Sequence, residues 1–121
     1  MPHQRQVIGK SGETDAADYL SRAGYKIIAR NWHAGRYGEI DIVACEGDQL
    51  VLVEVKTRSS IGFGYPEEAV NKHKQFKLQG AAQSFILSHP HLPQNVRFDV
   101  IAIVLSPDGQ MSDFKHFKGI N

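Results

Sequence analysis

The sequence predicts an α/β fold: a mixed β-sheet flanked by two helices, in the order α-β-β-β-α-β-β. Three observations lead there. Helical spacing of small and apolar residues is confined to two stretches, the remaining apolar runs are rich in β-branched residues, and glycine- or proline-containing turns separate them. With 121 residues the chain has the usual size of one domain, so positions 1–121 are expected to share one core and one site.

From about Ser11 to Ala23, the residues Ala16, Ala17, Leu20 and Ala23 recur at helical spacing, and Gly24 follows as a C-terminal stop. YKIIARNW reads as the first strand, HAGRYG as a turn, and EIDIVACE as the second strand. EGDQ closes a hairpin onto LVLVEVKT, whose unbroken β-branched run suits the middle of a sheet. Thr57 to Tyr65 is a polar loop, after which Pro66 fits the first position of a long helix reaching about Ser88. Pro90 and Pro93 end that helix. VRFDVIAIVL is the fourth strand, SPDG a turn, and MSDFKHFK a short last strand.

Composition narrows the function classes. The chain is 41% hydrophobic and 22% charged, ordinary for a packed soluble protein. No apolar run approaches the ~20 residues that cross a bilayer, and MPHQRQVIGK lacks the hydrophobic stretch of a signal peptide. The expectation is a cytoplasmic protein with no membrane partner. Cys45, the only cysteine, rules out an internal disulfide and a multi-thiolate zinc site, and reads as a half-buried free thiol. A net charge of +1 gives no global basic field; Lys72, Lys74 and Lys77 form only a local basic segment, which a solvated helix face also explains. GFG at 62–64 is not a phosphate-binding P-loop and there is no G-x-S-x-G elbow. His89-Pro90-His91 reads as a helix exit rather than a metal pair.

The chemistry gathers on the second and third strands. Because strand side chains alternate, Glu39, Asp41 and Val43 are expected on one face of the second strand, and Leu52, Glu54 and Lys56 on one face of the third. Pairing through EGDQ brings Asp41 toward Glu54, and oxygen-only ligands of this kind suit Mg²⁺ or Mn²⁺. A Glu-Val-Lys triplet by itself is usually a surface charge pair. This one lies in a run too apolar for an exposed strand, where an ionised group needs a partner or a metal. Glu13 precedes Ala16, Ala17 and Leu20 on the helix face that turns to the sheet, although the helix dipole alone also favours a first-turn glutamate. Lys74, between Val70 and Leu78, points inward or snorkels with its stem on apolar surface. Asp99 in RFDV reads as structural, partnered by Arg97 or a helix end.

Taken together, GETDAADYL, RNW, GEIDIVA, LVLVEVKTRSS, FGYPEEAV and RFDV resemble, in order and spacing, the small bacterial YraN-type family, a branch of the PD-(D/E)xK nuclease superfamily related to Holliday-junction resolvases. The resemblance runs from about Gly9 to Val104. It implies a restriction-endonuclease-like domain and a metal-dependent nuclease acting on nucleic acid, DNA rather than RNA, with branched DNA the substrate by analogy. Asp41 matches the motif aspartate, Glu54 and Lys56 the E-x-K pair, and Glu13 the first-helix acid of the resolvase-like branch. Asp41 and Glu54, with the Val55 carbonyl and Glu13, would hold Mg²⁺ or Mn²⁺, and Glu39 would be an outer partner. Lys56 would orient the attacking water, while Arg58, Lys74 and the loop after Thr57 would contact the nucleic acid. Ile40 stands where the superfamily has proline, and His33 where the family has arginine after RNW. A homodimer would match the two-fold symmetry of a junction. Two rivals stand beside this reading: a non-catalytic nucleic-acid-binding module that keeps the nuclease fold, and a scaffold whose buried charges only specify the fold.

Overall fold

The computed structural model describes the backbone at residues 2–59 and 72–120 and the side chains at 12–58 and 74–120. Its elements are α1 (Pro2–Arg22), β1 (Lys26–His33), a 3₁₀ turn at Gly35–Tyr37, β2 (Glu39–Glu46), β3 (Gln49–Ser59), α2 (Lys72–Ser88), β4 (Asn95–Leu105) and β5 (Met111–Phe117). The order matches the α/β expectation. The expected loop from Thr57 to Tyr65 is corrected at its start: Thr57, Arg58 and Ser59 continue β3, held by pairing with Ile103, Val104 and Leu105 of β4, while the rest of that loop and the expected helix start at Pro66 lie outside the described residues.

Helix α1 starts earlier than the apolar spacing predicts. Pro2 occupies its first turn, where a missing N–H costs nothing, and no later proline interrupts the polar residues that follow. Periodicity marks only the turns that touch the sheet. The helix ends as expected at Gly24, whose φ of 94° lets Tyr25 N–H reach back to the Leu20 carbonyl at 2.9 Å and Gly24 N–H to Ser21 at 3.2 Å.

The five strands lie in the order β1-β2-β3-β4-β5. All neighbours are antiparallel except β3 and β4, which run parallel and are joined through α2, as a parallel pair requires. Both faces of the central strands are covered. Ala16, Ala17 and Leu20 of α1 pack with Tyr25, Ile42, Ala44, Val51, Val53, Ile101 and Ile103. On the other face Ala81, Ala82 and Phe85 of α2 pack with Ile40, Val43, Leu50, Leu52 and Phe98. This is why LVLV carries no alternation of polar and apolar residues. Close approach is set by glycine at two points. A Cβ on Gly12 would lie 2.7 Å from Thr57 Oγ1, and one on Gly80 would fall inside the Tyr37 ring. The first lets α1 sit against β3; the second seats the 3₁₀ turn on α2.

The sheet is irregular at one place that matters for the site. The β1–β2 register shifts between Ile27 and Ala29, and Asn31, at φ 52°, breaks the alternation of β1. Asparagine tolerates this left-handed conformation better than most residues. Asn31 lies between the pairs Arg30↔Ile42 and Trp32↔Ile40, so it stands opposite Asp41. In β2, Ile40 faces α2 and Ile42 faces α1, although they are two residues apart. Asp41 and Val43 therefore do not share a face: Val43 packs on the α2 side. That part of the sequence expectation is corrected, because regular alternation fails between Ile40 and Ile42.

A second charged cluster is structural, as expected for Asp99. The carboxylate is 1% exposed and accepts two bonds from Arg97, one from His116 Nε2–H at 2.7 Å and one from Gly119 N–H at 3.0 Å. Arg97 also donates to Glu46, Gln49 and Tyr25, and His116 Nδ1 bonds the Tyr19 hydroxyl at 2.9 Å. Burial raises the Asp99 pKa, but the bonds from His116, Arg97 and Gly119 outweigh it and leave it below the usual carboxylate value. His89 donates Nδ1–H to the Phe85 carbonyl and stacks on that ring, which fits a helix exit.

Candidate metal centre

The parting of β2 from β3 creates the site. Their pairing runs from Glu46↔Gln49 to Ile42↔Val53 and then gives way to a side chain: Val55 N–H donates to Asp41 Oδ2 at 2.8 Å. A carboxylate thus occupies the place of a strand partner. Since the N–H and C=O of a strand residue point to the same side, the Val55 carbonyl faces the same gap.

Three carboxylates converge there. Glu13 of α1, Glu39 and Asp41 of β2 each offer an oxygen, and these oxygens all lie within 4.8 Å of one another. Glu13 reaches this point because Gly12 brings α1 against β3 at Thr57. Glu39 is therefore closer to the centre than the outer position expected of it. Part of the repulsion is offset by Arg30, whose Nη2 lies 3.9 Å from Glu13 Oε2 and bonds Thr14 Oγ1 at 3.2 Å. His33, which stands where arginine was expected, lies 3.6 Å from Glu39 on the surface. Burial, with the neighbouring charges of Glu13, Glu54 and Glu39, lifts the Asp41 pKa from 3.8 to about 6 against the lowering effect of the Val55 N–H.

Glu54 stands on the other side of the fork. Strand alternation puts it with Leu50 and Leu52 toward α2, and it does not join the tight trio. Its charge still raises the pKa of Asp41. Lys56 Nζ lies 3.2 Å and Lys74 Nζ 2.6 Å from the same oxygen, Glu54 Oε1. The other oxygen, Oε2, is buried with no hydrogen-bond partner among the described residues, as is Arg58 Nε further along β3. Lys74 does point inward from α2. Sequence reasoning missed Gly12 and Arg30: the glycine beside Glu13 was a readable signal, whereas nothing in the spacing links positions 13 and 30.

The donor set fits a hard divalent cation. It contains only oxygen, three carboxylates meet within reach of one ion, and Glu54 Oε2 is a buried acceptor lacking a donor among the described residues.

Fold and site together define the class: an α/β domain whose mixed sheet opens beside its central strand to gather acids from a helix and one strand. The chain belongs to the UPF0102 family, the YraN-type family, matching "Uncharacterised protein family UPF0102" over residues 12–103, a span that contains every residue of the centre. It is 49% identical over 107 residues to the UPF0102 protein GSU0650 of Geobacter sulfurreducens, covering 88% of this chain and 83% of that one. It is 45% identical over 104 residues to the UPF0102 protein TTE1452 of Caldanaerobacter subterraneus, covering 86% and 84%. A UPF0102 protein of Rhodococcus opacus is 44% identical over 112 residues, covering 93% of each chain. No helix among the described residues is long and apolar enough to cross a membrane.

Proposed function

We propose that this protein is a metal-dependent nuclease of the PD-(D/E)xK type that hydrolyses phosphodiester bonds in DNA. The observation that carries this reading is the convergence of Glu13, Glu39 and Asp41 at the fork between β2 and β3, where Asp41 replaces a strand partner of Val55. Acids brought together against their own repulsion, two of them half-buried and one of these with its pKa raised to about 6, are costly for a scaffold and useful to a metal site.

Asp41, Glu13 and Glu39 would hold Mg²⁺ or Mn²⁺, with Glu54 Oε2 and the Val55 carbonyl on the opposite wall. Such an ion, when bound, neutralises charge on the scissile phosphate and lowers the pKa of a coordinated water. Lys56, fixed by its strand beside Glu54, would orient the attacking water and stabilise its hydroxide form. Arg58 would bind a flanking phosphate: its buried Nε has a proton to donate and no acceptor for it among the described residues. Asp41 keeps the fork open by holding the Val55 N–H, so the phosphate side is not closed by strand pairing.

The test is cleavage of labelled duplex, single-stranded and four-way-junction DNA by pure protein in Mg²⁺ or Mn²⁺, beside Asp41→Ala and Lys56→Ala. Metal-dependent cleavage that both substitutions abolish supports the nuclease and reveals its preferred substrate. Salt-sensitive binding without cleavage by the unsubstituted protein refutes the nuclease in favour of a binding module.

A further inference from the structure

Deepening that reading, and resting on it, we propose that Lys74 is an exchangeable cation. Without metal its ammonium stands in on Glu54; when metal and nucleic acid bind, it leaves that carboxylate for a backbone phosphate. The exchange makes the two ligands bind cooperatively.

The distribution of partners on Glu54 motivates this. Two ammonium groups, from Lys74 at 2.6 Å and Lys56 at 3.2 Å, crowd one carboxylate oxygen, while the second oxygen is buried and has no hydrogen-bond partner among the described residues. One negative charge is answered twice on one side and not at all on the other. A divalent ion taken up at Oε2 would face both ammonium groups across the width of a carboxylate, where like charges repel strongly in a partly buried setting.

Of the two lysines, Lys74 is the one able to leave. Lys56 rises from the central strand β3 two residues from Glu54, on the same face, so its root cannot move without breaking the sheet. Lys74 comes from α2 on a long flexible stem, and its side chain is 36% exposed. Lys74 also has a contact beyond its ion pair with Glu54, and from there its ammonium can turn from the carboxylate toward a phosphate at the rim. By linkage, whatever draws Lys74 off Glu54 strengthens metal binding, and metal strengthens phosphate binding by the same factor.

Calorimetric titration of the full chain with Mn²⁺, with and without a short phosphorothioate duplex that resists cleavage, tests the exchange. The variants are Lys74→Met, Lys74→Arg and, on the exposed side of the same helix, Lys77→Met; thermal melting confirms that each folds. Without duplex, Lys74→Met is expected to bind Mn²⁺ about tenfold more tightly than the unsubstituted protein, with Lys74→Arg and Lys77→Met within about twofold of it. Adding duplex is expected to raise Mn²⁺ affinity at least tenfold in the unsubstituted protein and by much less in Lys74→Met. Unchanged or weaker Mn²⁺ binding by Lys74→Met without duplex overturns the exchange and makes Lys74 a residue that merely positions Glu54. An equal gain in Lys77→Met overturns it too, since any lost positive charge would then suffice. If no form binds Mn²⁺, the metal-centre reading itself falls and the exchange with it, an outcome distinct from Mn²⁺ binding that ignores Lys74.

Discussion

Replacing Asp41 by asparagine separates a site from a scaffold. Asparagine keeps the shape and an oxygen for the Val55 N–H, but removes the charge that burial and three neighbouring acids oppose. The folded protein holds the Asp41 proton more tightly than the unfolded chain, so its contribution to stability is fully present below about pH 3.8 and lost as pH rises through about 6. At about 1.4 kcal/mol per decade, a carboxyl carried from 3.8 to about 6 costs the ionised fold about 3 kcal/mol. Without metal at pH 8, Asp41→Asn is therefore expected to be more stable by about 3 kcal/mol, and by about half of that at pH 5. Urea unfolding in chelator at the two pH values measures this. Saturating Mg²⁺ should narrow or reverse the difference, because ligand at 100 times its Kd stabilises the unsubstituted protein by about 2.7 kcal/mol. A variant less stable at pH 8, or an advantage that does not shrink by pH 5, would refute the reasoning and favour the scaffold.

Other outcomes follow from the same geometry. Mn²⁺ affinity should fall about tenfold per pH unit below about pH 6, since the ion requires ionised Asp41; a flat affinity from pH 7 to 5 would exclude Asp41 as a ligand. Asp99→Asn should cost about 3–5 kcal/mol by leaving Arg97 and His116 without their shared carboxylate. The sign there is opposite to Asp41: the lowered Asp99 pKa contributes stability above the unfolded carboxylate value that is lost in acid, so the variant should show a flatter acid limb in pH-dependent unfolding. Gly80→Ala should destabilise by about 1–3 kcal/mol, because the new methyl group enters the Tyr37 ring. Tyr37→Ala in the same chain should recover most of that loss, which a double-mutant cycle in thermal melting would reveal.

What the sequence determined by itself is what local physics specifies. Chain order followed from apolar periodicity and turn residues, since each acts within a few positions. Gly24 marked the end of α1 because a left-handed residue there is cheapest as glycine. The unbroken run LVLV announced a strand covered on both faces, and Glu54 and Lys56 stood out as charges in a setting that would not leave them unpaired. Asp99 with Arg97 was legible as a structural pair for the same reason.

The site's arrangement was decided only by tertiary structure. Alternation predicted Asp41, Glu39 and Val43 on one face, but the alternation that runs regularly from Ile42 to Cys45 fails between Ile40 and Ile42, so Val43 packs on the α2 side while Glu39 and Asp41 meet Glu13 of α1. The β2–β3 ladder ends at Ile42↔Val53, and beyond it the Asp41 carboxylate takes the Val55 N–H. Glu39 joined the acid trio and Glu54 stood apart with two lysines because helix packing, not strand period, sets which carboxylates meet. Glu13 and Arg30, or Glu54 and Lys74, are distant in sequence and share no spacing that could declare their contact. The physical reason is one of range: propensity and periodicity act over a few residues, whereas buried charges find partners wherever the fold brings opposite ends of the chain together.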